Sequence, residues 1–318
     1  MIQTKRMAFW ALVAVNAIWG LGFVVIDDAI NIMPTSVFNA FRFSLAALVL
    51  LPLWFITGKK SPTENYQRTR LFKSGFGLGS LLFLGFTLQT EGLNYTSVSN
   101  TGFITGLCVP LVPLIGYLLY RNKVGFEVWV SVVLATSGLY FLTIGDNLTI
   151  NKGDILVALG ATCYAVHISF MAKYSHQFPV IRFSIVQLGA VAVYCIFTAF
   201  VENSIGRYEQ YASIWQQISE PRVIAAIVYS GVLSSAFAYW VQTSSQRLIE
   251  PHKIALVFAL EPIFAHVSAY FILSEHLGVQ GWLGAGLIIT AMLYSELGGN
   301  RKVKIQPLEQ MAAPVDKQ

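Results

Sequence analysis

Long apolar runs alternate with short polar breaks along nearly the whole chain. A helix needs roughly 20 apolar residues to cross a hydrocarbon core of about 30 Å, and the chain contains ten runs of about that length. They lie near 7–26, 35–57, 72–93, 97–120, 126–145, 153–173, 179–201, 222–246, 252–273 and 279–297. The pattern predicts an all-α integral membrane protein with ten transmembrane helices.

Composition and charge place this protein in a lipid bilayer. Hydrophobic residues make up 55% of the chain and charged residues 12%, about half the charged share of a soluble domain. Of the 21 Lys and Arg residues, seventeen fall in alternate breaks on one side of the predicted bilayer, whereas Lys152, Arg207 and Arg222 fall on the other and Arg42 lies within a span. Because basic residues concentrate in cytoplasmic loops, we expect an inner (plasma) membrane protein with both termini in the cytoplasm. The net charge of +5 requires no nucleic-acid partner.

The two ends of the chain and its cysteines carry further expectations. The first run is longer than a signal-peptide core and has no small-residue cleavage site after it, so we expect it to be retained. Residues 301–318 are polar and basic, which predicts a disordered cytoplasmic tail. The three cysteines lie in apolar runs without metal-ligand spacing, so neither a disulfide, a metal site nor a cofactor is expected.

The chain contains a weak internal repeat. With a shift of 153 residues and no gap, LQTEGLNY (from 88) aligns with VQTSSQRL (from 241), and Gln89 meets Gln242. The same register continues through the next loop, where Trp129 meets Trp282. A shift of 144 residues aligns LVAVNA (12–17) with LVALGA (156–161). Each unit holds five spans, an odd number, so the copies must cross the membrane in opposite senses, as in many transporters. We expect repeats at 1–146 and 147–300.

Four stretches resemble the drug/metabolite transporter superfamily, specifically its EamA type. They are AIWGLGFVVI (17–26), FNAFRFSLAALVLL (38–51), LNYTSVSNTGFITGLCVPLVPL (93–114) and IEPHKIALVFALEPIFAHVSAYFILSE (249–275). The resemblance implies ten helices, a cavity lined mainly by the third, fourth, eighth and ninth spans, and export of amino acids, related metabolites or drugs. It does not transfer substrate residues, because these vary among members.

Prolines and a glutamate interrupt two related spans. Pro262 leaves the carbonyl of Phe258 without its intrahelical donor, and Pro110 and Pro113 have the same effect in the fourth span. Glu261 lies near the middle of the ninth span, where a charge costs about 2.5–3.5 kcal/mol on insertion scales, so it should avoid lipid. A bend of this kind is useful where a helix moves or a cavity opens, and the Glu-Pro pair resembles a general feature of the ninth span in the EamA type. That resemblance favours a structural or gating role for these residues over ligand binding.

Arg42 lies inside the second span, a little under two turns from its outer end. An unpaired charge there is costly, so we predict an ion pair with Glu91 or with Asp27 or Asp28 at the ends of neighbouring spans. The alternative is that Arg42 extends to the lipid head groups.

Polar and aromatic side chains within the spans are candidates for lining a substrate cavity, since ligand pockets combine apolar walls with a few polar groups. The alternative for each is ordinary packing or interfacial anchoring. The candidates are Trp19, Asn100, Phe103, Leu107, Tyr164, His167, Tyr239, Trp240, Gln242 and Phe258. His167, His266, Glu91 and Glu261 are the titratable candidates for coupling to a proton gradient.

A glycine-rich stretch in the third span does not indicate phosphate binding. GFGLGS (75–80) resembles a glycine-rich phosphate loop but lies inside an apolar span, so its glycines are expected to let helices approach closely.

These observations predict an exporter of a small metabolite, an amino acid or a related compound, that works by alternating access in the lipid bilayer as a monomer or weak dimer. An importer or a multidrug efflux protein of the same fold stays open. A membrane enzyme is disfavoured because HExxH, GxSxG and clustered carboxylates are absent from the sequence. A channel is disfavoured by the internal repeat.

Overall fold

The computed structural model describes residues 2–56, 64–120, 125–143, 151–273 and 278–298. All regular secondary structure in these ranges is helical. The helices are α1 (Lys5–Ile30), α2 (Thr35–Ile56), α3 (Glu64–Leu93), α4 (Val98–Thr105), α5 (Cys108–Tyr120), α6 (Phe126–Thr143), α7 (Lys152–Tyr174), α8 (Val180–Ser204), α9 (Ile214–Ser219), α10 (Pro221–Val228), a π-helical segment (Tyr229–Phe237), α11 (Ala238–Ser245), α12 (Pro251–Phe258), α13 (Glu261–Leu273) and α14 (Val279–Gly298).

Eight helical segments in these ranges are long and apolar enough to cross a membrane. Three of them are composite: α4 with α5, α10 with the π-helical segment and α11, and α12 with α13. Two further apolar stretches, Phe126–Phe141 and Val279–Tyr294, are shorter. The protein is therefore an integral membrane protein. Each of the ten predicted runs overlaps a helical segment, and α3 begins at Glu64 rather than near residue 72. The first helix continues past residue 26, so Asp27 and Asp28 lie inside α1 rather than after it.

Local sequence explains several helix starts. The Thr4 hydroxyl accepts a hydrogen bond from Met7 N, and Ser97 caps α4 in the same way at Asn100 N. Asn151 and Asp154 form a reciprocal capping box at the start of α7. Such caps satisfy N–H groups that the first helical turn leaves unpaired.

Two composite spans are interrupted at equivalent points. A turn at Gly106 and Leu107 separates α4 from α5, and a turn at Ala259 and Leu260 separates α12 from α13. The bounds of α4 and α12, and of α5 and α13, differ by the same 153 residues as the sequence repeat. The carbonyl of Gly106 was expected to lose its donor; it accepts from Val109 N at 3.0 Å instead, because the chain tightens into a short turn there.

Helices from the N-terminal part of the chain pack against helices from the C-terminal part. The main contacts join α1 with α13, α2 with α8, α3 with α7 and α6 with α14. Glycines allow the closest approaches, as predicted for two of those in GFGLGS: a Cβ at Gly75 would lie 2.5 Å from Val186 Cγ1, and one at Gly79 would lie 2.6 Å from Ala190 Cβ. Gly77 faces open space.

The predicted repeat boundary at 146–147 and the predicted disordered tail at 301–318 lie outside the described residues.

Candidate functional site

A cavity lies at the centre of the helical bundle, where helices from both sequence repeats meet. The space between its lining residues, including the part that opens to solvent, is about 590 Å³. Its walls come from α1, α2, α3, α4, α5, α7, the π-helical segment, α11, α12 and α13. The lining residues are Trp19, Phe23, Ile26, Arg42, Phe86, Gln89, Thr105, Cys108, Tyr164, His167, Ile168, Ser234, Tyr239, Gln242, Phe258 and Glu261.

Arg42 is the basic side chain of the cavity wall, and it is 2% exposed. Its Nε donates to the hydroxyl of Ser235 at 2.9 Å and its Nη2 donates to that of Ser234 at 3.2 Å. Both serines belong to the π-helical segment, a form common at functional sites. The guanidinium lies over the Phe86 ring, 4.7 Å from the centroid.

The predicted pairing of Arg42 with an acid is wrong. Glu91 accepts from Thr35 at the start of α2, and Arg42 lies seven residues further, on the order of 10 Å deeper along that helix. Asp28 pairs instead with Arg222, at 3.6 Å. Since Arg42 is buried against the π-helical segment, it does not extend to the head groups either. Among the described residues, the positive charge of Arg42 faces the cavity without an ion-pair partner.

Glu261 is the acidic side chain of the cavity wall and is 8% exposed. It is the first residue of α13, immediately after the turn at Ala259 and Leu260. No described basic side chain lies within salt-bridge distance of it. The cavity therefore presents one acid and one base that do not neutralise each other.

Aromatic rings form most of the apolar wall. Trp19 packs edge-on against Phe258 with ring centroids 5.1 Å apart, and Phe86 packs against Tyr164 at 5.3 Å. Tyr239 joins the two groups, since it lies 6.2 Å from Trp19 and 5.9 Å from Phe86. Such a wall suits a flat or apolar ligand body, while the charged groups suit a polar end.

A buried hydrogen-bond chain crosses the wall between the two repeats. The Tyr164 hydroxyl of α7 donates to Gln89 Oε1 of α3 at 3.0 Å. Gln89 Nε2 donates to the Thr105 hydroxyl at 2.8 Å, at the last residue of α4. A separate hydrogen bond lies within the second repeat, where His167 Nε2 bonds to Gln187 Oε1 at 2.9 Å. Because an amide oxygen can only accept, His167 carries its proton on Nε2 in this arrangement.

Six polar residues connect α2, α3 and α8 at one end of the bundle, and we call them the α2–α8 latch. They are Thr35, Ser36, Glu91, Glu202, Arg207 and Tyr208. Glu202 Oε2 accepts from Ser36 at 2.5 Å and from Tyr208 at 2.7 Å. Arg207 bonds to Glu202 at 2.5 Å and lies 3.9 Å from Glu91. Burial raises the pKa of Tyr208 above its ordinary value, so its hydroxyl remains a donor at neutral pH.

Six of the ten predicted cavity residues line this cavity: Trp19, Tyr164, His167, Tyr239, Gln242 and Phe258. Asn100, Phe103, Leu107 and Trp240 lie away from it. The turn at Gly106 and Leu107 interrupts the helix between Phe103 and Leu107, and in this part of the wall Thr105 and Cys108 line the cavity instead. Of the predicted gating residues, Arg42 and Glu261 line the cavity, and Glu91 belongs to the α2–α8 latch. Pro110 and Pro262 lie in the first turns of α5 and α13, and Pro113 lies inside α5.

Several lining residues were not predicted from the sequence, although the internal repeat indicates some of them. With the shift of 153 residues, Phe86 corresponds to Tyr239, Gln89 to Gln242, Thr105 to Phe258 and Cys108 to Glu261, and all eight line the cavity. A residue proposed in one repeat could therefore have been transferred to its counterpart in the other. The described residues contain no group of three or more His, Cys, Asp or Glu side chains able to hold a metal ion.

Comparisons with known proteins agree with this architecture. The profile of the EamA-like transporter family matches residues 5–144 and 151–295. An uncharacterized transporter from Archaeoglobus fulgidus is 30% identical over 294 residues, which cover 92% of this chain and 87% of the relative. The uncharacterized inner membrane transporter YedA from Escherichia coli K12 is 23% identical over 308 residues, covering 96% and 95%.

Two further matches bear on function and fold. An S-adenosylmethionine uptake transporter from Rickettsia felis is 26% identical over 255 residues, covering 80% of each chain. A solved crystal structure of a protein superposes with a TM-score of 0.71 at 12% identity, covering 94% of this chain and 98% of the other. At that identity the superposition shows a shared fold.

Proposed function

This chain belongs to the EamA-like transporter family, and from that membership we propose that it exports an amino acid or a closely related small metabolite across the inner membrane by alternating access. The central cavity carries this proposal. It is lined by residues of both sequence repeats and presents Arg42, Glu261 and an aromatic wall to one space. An α-amino acid supplies the complementary groups: a carboxylate for Arg42, an ammonium for Glu261 and an apolar body for the rings.

Electrostatic cost supports a zwitterionic substrate. A charged side chain in a membrane interior is expensive unless it is paired or hydrated. Arg42 and Glu261 are both buried, and neither has an ion-pair partner among the described residues. A substrate with one charge of each sign neutralises both groups when it binds. A neutral sugar or a hydrophobic cation leaves at least one of them uncompensated.

We further propose that ten spans form two five-helix repeats of opposite orientation, with both termini in the cytoplasm. The shared shift of 153 residues between α4–α5 and α12–α13 supports the repeat. The packing of α2 on α8 and of α6 on α14 supports a two-fold relation, since each pair joins counterparts. Two related halves around one site can open the site to either side of the membrane.

Uptake of the same substrate class is the second candidate. The similarity to the S-adenosylmethionine uptake transporter of Rickettsia felis favours it, because S-adenosylmethionine is itself an α-amino acid, extended by a cationic sulfonium and an aromatic adenine.

Transport by purified protein in proteoliposomes tests both candidates. The panel contains the twenty proteinogenic L-amino acids and S-adenosylmethionine, each also as its methyl ester, with and without a pH gradient. We expect at least one free amino acid to exchange and its ester to exchange at least about tenfold more slowly, because the ester lacks the carboxylate. Export in intact cells rather than accumulation would decide the direction. If folded protein moves neither the free acids nor S-adenosylmethionine, the proposed substrate class is wrong.

A further inference from the structure

Gln89 and Gln242 occupy equivalent positions on α3 and α11, separated by the repeat shift of 153 residues. Both line the central cavity. Both are buried, with relative exposures of 9% and 2%. A second pair of lining residues is related by the same shift, since Thr105 of α4 corresponds to Phe258 of α12. The two amides therefore start from equivalent backbone positions, and a difference in their bonding must come from the surrounding side chains.

The amide of Gln89 is satisfied within the protein. Its Oε1 accepts from the Tyr164 hydroxyl at 3.0 Å, and its Nε2 donates to the Thr105 hydroxyl at 2.8 Å. Thr105 in turn donates to the carbonyl of Thr101 at 2.7 Å. Gln89 thus holds α3, α4 and α7 together at the cavity wall.

The oxygen of the Gln242 amide has no equivalent partner. Trp19 occupies on α1 the region that Tyr164 occupies on α7, but its Nε1 already donates to the carbonyl of Ser234 at 2.8 Å. Phe258, the counterpart of Thr105, has no polar side-chain atom. Gln242 Oε1 is accordingly buried without a hydrogen-bond partner in the described part of the chain. A buried polar atom left unpaired costs free energy, and native proteins rarely tolerate it without a ligand or an ordered water.

We propose that the side-chain amide of Gln242 is the hydrogen-bond acceptor for the amino group of the transported substrate, whereas Gln89 is a positioning residue of the wall. This inference rests on the proposed amino-acid-like substrate. It narrows the substrate class to compounds with a free N–H donor at the polar end, because Oε1 can only accept. The second repeat therefore recognises the substrate at a position where the first repeat bonds to itself.

Paired variants separate the two roles. Gln242→Leu removes an unpaired polar atom, so unliganded protein in detergent should melt at the same temperature as the parent or higher. Gln89→Leu leaves the Tyr164 and Thr105 hydroxyls without partners, so it should melt at a lower temperature. Both variants replace the same residue type by the same apolar side chain, and each therefore serves as the matched control for the other.

Ligand binding is measured on the same three proteins by calorimetry. The probes are the amino acid of the twenty that binds the parent protein most tightly and its N,N,N-trimethyl derivative, which keeps the positive charge but has no N–H donor. We expect the parent protein to prefer the free amino form by at least about tenfold. Gln242→Leu should weaken binding of the free amino form by about tenfold and leave binding of the trimethyl form nearly unchanged.

Three results would overturn the inference. If Gln242→Leu binds the free amino acid as the parent does, the amide holds only water, and the proposed transport function stands without it. If Gln242→Leu melts as far below the parent as Gln89→Leu does, the amide has an internal partner. If none of the twenty amino acids binds the folded parent, the proposed substrate class is wrong and the inference falls with it, a result visible before any variant is compared.

Discussion

Arg42 illustrates how a charged residue is accommodated within this bundle. It lies between two hydroxyls of the π-helical segment and the rings of Phe43 and Phe86. Hydroxyl dipoles and ring faces stabilise a cation without neutralising its charge. The guanidinium is therefore held in place while its charge remains available to an anion in the cavity. An ion pair with a neighbouring acid, as predicted from the sequence, would have neutralised that charge.

Replacing Arg42 tests whether its charge serves the substrate. We expect Arg42→Met to reduce exchange of the free amino acid at least tenfold, since binding loses a charge-assisted hydrogen bond worth about 1.5–3 kcal/mol. Exchange of the corresponding methyl ester should change little. Proteoliposome counterflow measures both rates. Arg42→Lys keeps the charge but not the planar fork, so its rate of free amino acid exchange should lie between those of the parent protein and Arg42→Met.

The two substrates provide the internal control for that prediction. A variant that is merely misfolded loses exchange of acid and ester to the same degree. Equal losses, together with a normal melting temperature, would show that Arg42 has no selective role toward the carboxylate.

The contact between α3 and α8 depends on glycines, which have no side chain to separate the two helices. In α3, Gly75 and Gly79 face α8, whereas Gly77 faces open space. At Gly79 an added Cβ would lie 2.9 Å from the carbonyl oxygen of Gln187 as well as close to Ala190. Backbone atoms cannot rotate away, so the two helices would have to separate. The contact therefore requires glycine at 75 and 79 but not at 77.

Alanine substitutions at neighbouring glycines test this requirement. Gly79→Ala should destabilise the protein by about 1–3 kcal/mol, the usual cost of overpacking. Gly77→Ala should be neutral or stabilise the helix by up to about 1 kcal/mol, because alanine restricts the unfolded chain more than glycine does. Thermal melting in detergent, followed by size-exclusion chromatography, compares the two. Similar melting temperatures for the two variants would contradict the close approach of α3 and α8.

The α2–α8 latch joins elements that lie in different sequence repeats. Its contacts are polar and partly exposed, since Arg207 is 57% exposed and Glu91 is 28% exposed. Exposed polar pairs contribute about 0–1 kcal/mol each. A contact of that strength can bias an equilibrium between two arrangements without fixing either. We therefore expect the α2–α8 latch to favour closure of this end of the bundle.

Removing two of the three hydroxyls of the α2–α8 latch should make the cavity more accessible. In a background with Cys163 and Cys195 replaced by Ala, native Cys108, which lines the cavity, reports access to an impermeant thiol reagent in intact cells. We expect the double change Ser36→Ala and Tyr208→Phe to raise its labelling rate several-fold, up to about fivefold per kcal/mol lost.

Ser219→Ala is the matched control for that labelling experiment. The Ser219 hydroxyl donates to the carbonyl of Trp215 within its own helix, so labelling of Cys108 should not change. An equal increase in the control and the double variant would mean that the α2–α8 latch does not restrict access.

The proposed topology of the whole molecule depends on the number of membrane crossings in each repeat. Five crossings per repeat, an odd number, would place the loop after α1 and the loop after α7 on opposite sides of the membrane. Asn31 and Gln177 mark these two loops and are both exposed. Glu220 and Glu250 extend the test to the next two loops of the second half.

Single cysteines at these positions test the orientation. With Cys108, Cys163 and Cys195 replaced by Ala, we expect Asn31→Cys and Glu220→Cys to react with an impermeant maleimide in intact cells. Gln177→Cys and Glu250→Cys should react only after permeabilisation, because the basic loops lie inside. Reaction of Asn31→Cys and Gln177→Cys from the same side would contradict the inverted repeat.

Much of the local structure was predictable from the sequence alone. The bilayer thickness sets the length of each apolar run, and caps and glycines act within a few residues, so the helical segments and the close approach at Gly75 and Gly79 were correctly predicted. The repeat was visible for a related reason, since equivalent positions in two copies of one fold keep similar side chains. These are properties of short stretches or of comparisons between stretches.

Only the tertiary structure determined which hydrogen-bond and ion-pair partners the buried polar side chains have. Arg42 meets serines 192 and 193 residues away, and Glu91 meets Arg207 across the repeats. Sequence reasoning could state that a buried charge needs stabilisation, but not which helix face would supply it. The same limit applies to Gln89 and Gln242, which are identical residues at equivalent positions with different bonding. That difference arises from packing between helices, because each amide is satisfied or left unpaired by side chains that only the folded bundle brings beside it.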